Sequence, residues 1–203
     1  MRLHPATAAD AEVLTPLVLA AAGDLSAYSL TLGPYTPGDY VRFALQSPGG
    51  VLGHRYLYVI EEEGRQLGCI GAYPARARGQ MFVETAWKVF RFYGLRYGGV
   101  FSARSARLGP MTVYPPRSAL CIAHCAIVPE MRGRGLFRQA LEAVLAMHQG
   151  GGFTELSLEV AETNVGAVRV YESLGFEVVT SVASVVEGLP GLFRMARPLP
   201  PET

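Results

Sequence analysis

The chain has 203 residues, 50% of them hydrophobic, and a formal net charge of +1. That length and apolar content support one domain with a sizeable core. The near-zero charge argues against a nucleic-acid partner held by bulk electrostatics.

Arg2 to Ala6 reads as a short first strand. Thr7 then marks a helix start, with Asp10 three residues on as an approximate capping box. This helix is expected to run toward Ala22 and stop at Gly23, with Pro16 kinking or splitting it. No apolar run is read as reaching the ~20 residues of a membrane span, and the early Asp10 does not fit a secretory leader. Leu25 to Gly53 reads as loop with a helical patch at Tyr40 to Leu45. Arg55 to Glu61 and Gln66 to Tyr73 form a hairpin signal around a charged, glycine-bearing turn. An amphipathic helix is expected from about Gln80 to Tyr93. Its apolar face is Met81, Phe82, Ala86, Val89, Phe90 and Tyr93; Glu84, Lys88 and Arg91 lie opposite, the first two as an i,i+4 pair. Gly94, Gly98 and Gly99 loosen the chain beyond it. This stretch, about 75–107, interleaves arginines with aromatics; solvated arginines on a packed helix outweigh a membrane or nucleic-acid surface, and the segment is placed to wall a pocket.

Ala119 to Val128 is almost wholly apolar and reads as a buried central strand. Cys121 and Cys125 both lie on it, too far apart to bridge at about 3.3 Å of rise per residue. With three cysteines in all, no disulfide framework follows, and a soluble cytoplasmic protein is expected. A short turn, Pro129-Glu130-Met131-Arg132-Gly133-Arg134-Gly135, connects to a helix whose apolar face is Leu136, Ala140, Leu141, Val144 and Leu145. Glycines and a helix start at one point offer backbone N–H groups and the positive end of a helix dipole, which suits an anion. The turn lacks the Lys and Ser/Thr of a P-loop and the third glycine of a dinucleotide fingerprint. Glu155 to Val160 is the next strand, Val165 to Leu174 a helix closed by Gly175, and Val178 to Val186 and Leu192 to Arg197 the last strands. The proline-rich tail after Arg197 is expected to fray.

The run Val128-Pro129-Glu130-Met131-Arg132-Gly133-Arg134-Gly135-Leu136 resembles the acyl-coenzyme A signature of the GCN5-related N-acetyltransferase (GNAT) superfamily. A second matching block is Leu156-Ser157-Leu158-Glu159-Val160, Asn164, Ala167 and Tyr171-Glu172-Ser173-Leu174-Gly175-Phe176. The resemblance implies an α/β (α+β) fold: a mixed central sheet of about six to seven strands flanked by helices. It further implies a single domain over 1–203, with an acceptor-side half at 2–118 and a coenzyme half at 119–198. The activity implied is transfer of an acetyl group from acetyl-coenzyme A to a primary amine, of a small molecule or a protein N-terminus, by direct attack in a ternary complex. No metal, nucleic-acid or membrane partner is implied, and a homodimer is compatible with it.

The same resemblance assigns residues. Backbone around Arg132, Gly133, Arg134, Gly135, Leu136 and Phe137 would hold the pyrophosphate. Backbone at Cys125 and Ile127 would pair with the pantetheine arm as an added strand, and an N–H near Cys125 would face the developing oxyanion. Asn164 would cap the next helix and reach the coenzyme. Glu159 would act as general base and Tyr171 as acid toward the thiol, as in enzymes that acetylate a ribosomal protein's N-terminus. Some branches carry a Glu or His base at the position of Cys121, which this chain lacks. A nucleophilic Cys125–His124 pair is disfavoured, since strand neighbours point to opposite faces. The competing reading is a coenzyme-binding sensor that has lost turnover.

Overall fold

The computed structural model describes residues 1–200. In chain order the elements are β1 (Arg2–Pro5), α1 (Ala11–Leu30), α2 (Pro37–Leu45), β2 (Leu57–Glu62), β3 (Arg65–Pro74), α3 (Arg78–Leu108), β4 (Ala119–Ile127), α4 (Leu136–Met147), β5 (Glu155–Ala161), α5 (Val165–Ser173), β6 (Glu177–Val182) and β7 (Leu192–Pro198). The strands form one seven-stranded sheet in the order β1-β2-β3-β4-β5-β7-β6. β4 and β5 are parallel and every other pair is antiparallel. The mixed sheet flanked by helices is the architecture expected from the sequence.

Strand alternation splits the core in two. Leu57, Val59 and Cys69 pack with α1, α2 and α3, while Ile60, Ile70, Leu120 and Leu156 pack with Ala140, Leu141 and Val144 of α4. Residues two apart on a strand share a face, so each hydrophobic set finds its own helical layer. β2 and β3 join through Glu63 and Gly64, whose φ values of 51° and 76° suit the tight two-residue turn that matches strand twist. The capping box is present, with Asp10 Oδ2 accepting from Thr7 N at 2.8 Å and from Thr7 Oγ1 at 2.9 Å.

Two helices run longer than the sequence suggests. α1 does not stop at Gly23; that residue takes φ 57° and ψ −154°, and the helix resumes to Leu30. α3 likewise bends at Gly94 (φ 67°) and continues to Leu108. In both cases one left-handed glycine breaks the backbone ladder locally, and packing of the following residues restores the helix on a new axis. Arg104, beyond the α3 bend, shows the restoring contacts: its Nη1 donates to Tyr28 O at 2.6 Å and to Thr31 O at 2.9 Å, at the end of α1. The Ala8–Leu30 stretch, at mean hydropathy 1.4, is also long and apolar enough by length and composition to cross a membrane. That corrects the sequence-based expectation; here Leu14, Leu17 and Val18 are buried in the first core layer. The C-terminal segment is held as far as Leu199, whose N–H donates to Thr154 O at 2.9 Å.

The α3 face is also reset. Met81, Val89 and Tyr93 are buried as predicted, whereas Phe82 and Phe90 are exposed and Lys88 is buried. Lys88 Nζ donates to Ala44 O at 2.9 Å, Ser47 O at 3.3 Å and to Gly49 O. Glu84 instead accepts from Gly50 N at 2.6 Å and pairs with Arg55 at 3.1 Å. Periodicity sends a lysine outward; here three carbonyls at the end of α2 supply the partners that burial of an ammonium requires. Lys88→Met is expected to cost about 3 kcal/mol, because a charge-assisted hub is lost and the carbonyls are left unpaired. A chemical denaturation midpoint measures it.

Candidate active site

β4 carries the site because it is interrupted. His124 takes φ 50°, and the β3 register passes from Gly71↔Ala123 to Cys69↔Ala126, so two β4 residues oppose Ile70 alone. This bulge frees a backbone N–H at His124–Cys125 from the ladder. Pairing with β5 ends at Cys121↔Ser157, so beyond that point β4 presents an open edge toward β5. The opening is a cleft of about 1350 Å³.

The turn after β4 closes one end. Gly133 and Gly135 take φ 75° and 73°, and a Cβ at either would meet no protein atom within 4 Å. Gly135 caps α4, and the Gln139 amide bonds back to Gly135 O at 3.1 Å. The amides preceding Gln139 are the orphan donors that any helix start leaves. α4 carries no acidic residue in its first turn, so the dipole end is uncompensated and favours an anion. Arg132 lies folded back, its Nε donating to Ile127 O at 3.1 Å. The open cradle and donor set fit a pyrophosphate.

Of the residues assigned from sequence, Cys125, Ile127, Arg132, Gly133, Gly135, Leu136, Phe137, Glu159, Asn164 and Tyr171 all line this one cleft. Arg134 does not line it. Asn164 is the N-cap of α5, its Oδ1 accepting from Ala167 N at 3.2 Å.

Tyr171 stands between the rings of Phe137 and Phe176, at centroid separations of 5.7 and 5.9 Å. Its hydroxyl lies toward the Cys125 thiol, and burial first, then that sulfur, push its pKa well above the usual tyrosine value. Burial also drives the Cys125 thiol far above the ordinary cysteine range, which leaves it a poor nucleophile. His124 Nε2 donates to Val51 O at 3.1 Å, so the imidazole is turned to a carbonyl rather than to the thiol. Burial lowers its pKa, keeping it neutral.

Glu159 projects from β5 into the cleft. Solvent reaches its side chain (38% exposed), yet protein surrounds it. Desolvation raises its pKa above the carboxylate range, opposed by Arg78, whose Nη1 lies 3.7 Å away. Beside it, Tyr73 of β3 pairs in register with Cys121, whose thiol is pushed up to about 11, mainly by burial. Tyr73 and Arg78 were missed by sequence reasoning. Tyr73 sits at a strand end and Arg78 among several arginines, so neither carries a local pattern.

A family model for the acetyltransferase (GNAT) family matches residues 32–176. N-acetyltransferase 8B of Rattus norvegicus is 32% identical over 65 residues, which is 31% of this chain and 29% of that protein. An N-acetyltransferase structure from Staphylococcus aureus Mu50 superposes with a TM-score of 0.72 at 18% identity, over 97% of this chain and 100% of the other. The Drosophila melanogaster polyamine N-acetyltransferase superposes at 0.60 and 18% identity, over 98% and 99%. With the family model spanning well over half of the sequence, the chain belongs to the acetyltransferase (GNAT) family.

Proposed function

We propose that the protein transfers an acetyl group from acetyl-coenzyme A to a primary amine by direct attack within a ternary complex. The observation that carries this reading is that one cleft holds an anion cradle, a carboxylate of raised pKa and a buried tyrosine hydroxyl. Residues Gly133 to Phe137 bind the pyrophosphate through backbone N–H groups. The β4 edge at Cys125 and Ile127 takes the pantetheine arm as an added strand. The coenzyme supplies an activated thioester. The chain's own groups do the rest: Glu159 takes the proton from the incoming ammonium, the N–H freed by the bulge faces the developing carbonyl charge, and Tyr171 delivers a proton to the departing sulfur. Phe137 and Phe176 hold the tyrosine ring in place.

Calorimetric titration with acetyl-coenzyme A, followed by amine-dependent thiol release, tests the proposal. Binding with release supports it; binding with no release across a broad amine panel replaces it with a sensor; no binding removes the coenzyme assignment. Gly135→Ala separates the cradle from the fold. Forcing a Cβ at φ 73° costs about 1 kcal/mol of stability. The same Cβ occupies the ligand's approach, so the acetyl-coenzyme A Kd is expected to rise by about tenfold or more. Thermal unfolding and calorimetry on the same sample compare the two losses.

A further inference from the structure

Arg78 is an odd neighbour for a base that must accept a proton from an ammonium. A fixed cation 3.7 Å from Glu159 repels the charged amine and weakens the base, so its presence calls for a compensating role. Its geometry supplies one. The guanidinium lies over the rings of Phe82 and Tyr114, at 5.9 and 5.2 Å to their centroids. Nη1 donates to Val113 O at 3.3 Å. Nη2 and Nε have no hydrogen-bond partner among the described residues, and the side chain lines the cleft. A planar fork stiffened by two rings, with donors to spare, is preorganised for a carboxylate. α3 begins at Arg78 and carries no acidic residue in its first turn, which adds positive potential there.

We infer that the acceptor is an α-amino acid with a free carboxylate and an apolar side chain, its amine at Glu159 and its carboxylate on Arg78. The inference rests on the acetyl-transfer reading and names its substrate class. The short Arg78–Glu159 separation requires that the acceptor's two charged groups be adjacent, as they are across a single α-carbon. The side chain then meets Val51, Met81, Phe82, Thr112 and Pro115, which line the same cleft and carry no charge. The other ionic groups on the wall are Asp24, at the α1 bend, and Arg132 and Arg138 at the coenzyme end. A polyamine would find one unpaired acid, Asp24, and a cation beside the base.

The test is a matched acceptor panel with saturating acetyl-coenzyme A: leucine, leucinamide and isoamylamine, and phenylalanine, phenylalaninamide and phenethylamine. The amino acids are expected to exceed their amides and decarboxylated amines in kcat/KM by about tenfold or more, chiefly through KM. Arg78→Met should erase that ratio, while Arg78→Lys keeps part of it. Because the ratio compares acceptors on one protein, any effect of the substitution on Glu159 cancels. Unchanged acetyl-coenzyme A affinity in each variant shows that the fold survives. Amides or simple amines serving equally well, or a preference that persists in Arg78→Met, overturn the inference but leave acetyl transfer standing. If no amine turns over, the enzymatic reading fails. Titration of leucine into the coenzyme A-bound protein then decides the subsite: Arg78-dependent binding supports it, and no binding overturns it.

Discussion

Tyr171→Phe is expected to lower kcat about a hundredfold, the size of a general-acid contribution, while the acetyl-coenzyme A Kd changes little. The substitution removes one oxygen and keeps the ring, so the contacts with Phe137 and Phe176 at 5.7 and 5.9 Å persist. The lost hydroxyl is the one that lies toward a sulfur, that of Cys125. Its raised pKa means that the proton is fully present at neutral pH, as a donor requires, and that the phenol is a weak acid unless a stronger base develops beside it. A departing thiolate is such a base. Steady-state kinetics with calorimetry check the split. A fall in affinity with kcat intact would make Tyr171 a packing residue and return the proton to solvent. The largest effect is expected with poor leaving conditions, at high pH, where solvent acid is scarce.

Much of this site was legible because its backbone chemistry demands particular residues. Gly133 and Gly135 adopt φ near 75°, and the chain could not make that turn readily with other residues. The Leu-Glu-Val alternation of β5 places Glu159 on the face opposite Leu158 and Val160, which are buried. What the sequence hid is long-range. The bulge at His124 breaks an almost wholly apolar run with no glycine to announce it, and it shows in the register against β3 and in the positive φ of His124. Lys88 reads as a surface residue until the carbonyls of Ala44, Ser47 and Gly49 are brought to it. Tyr73, Cys121, Arg78 and Glu159 meet from β3, β4, the start of α3 and β5, with up to 86 positions between members. No window of local sequence contains such a group. The glycines at 23 and 94 misled for a different reason. A helix-breaking residue sets a bend, and whether the chain resumes as helix depends on packing beyond it.

Glu159→Gln is expected to remove the acid limb of the pH–rate profile and to lower kcat/KM at neutral pH by about a hundredfold. A base acts only when ionised, so below its pKa the wild-type rate falls and above it the rate reaches a plateau. Burial raises the Glu159 pKa, with Arg78 first and the Val113 N–H and Arg194 behind it pulling the other way; the limb therefore lies above the ordinary carboxylate range. Arg78→Met removes the main opposing charge, so its limb should move further toward alkaline pH. Stability supplies an independent sign. An acid whose folded pKa is raised binds its proton more tightly in the folded state, so its favourable contribution is complete below the unfolded pKa and is lost as pH rises through the folded one. At neutral pH the ionised Glu159 is thus a liability to the fold, and Glu159→Gln should be at least as stable as wild type while nearly inactive. Loss of activity with stability retained marks a residue held in place for chemistry. An acid limb that survives in Glu159→Gln would assign the proton to water or to another group in the cleft.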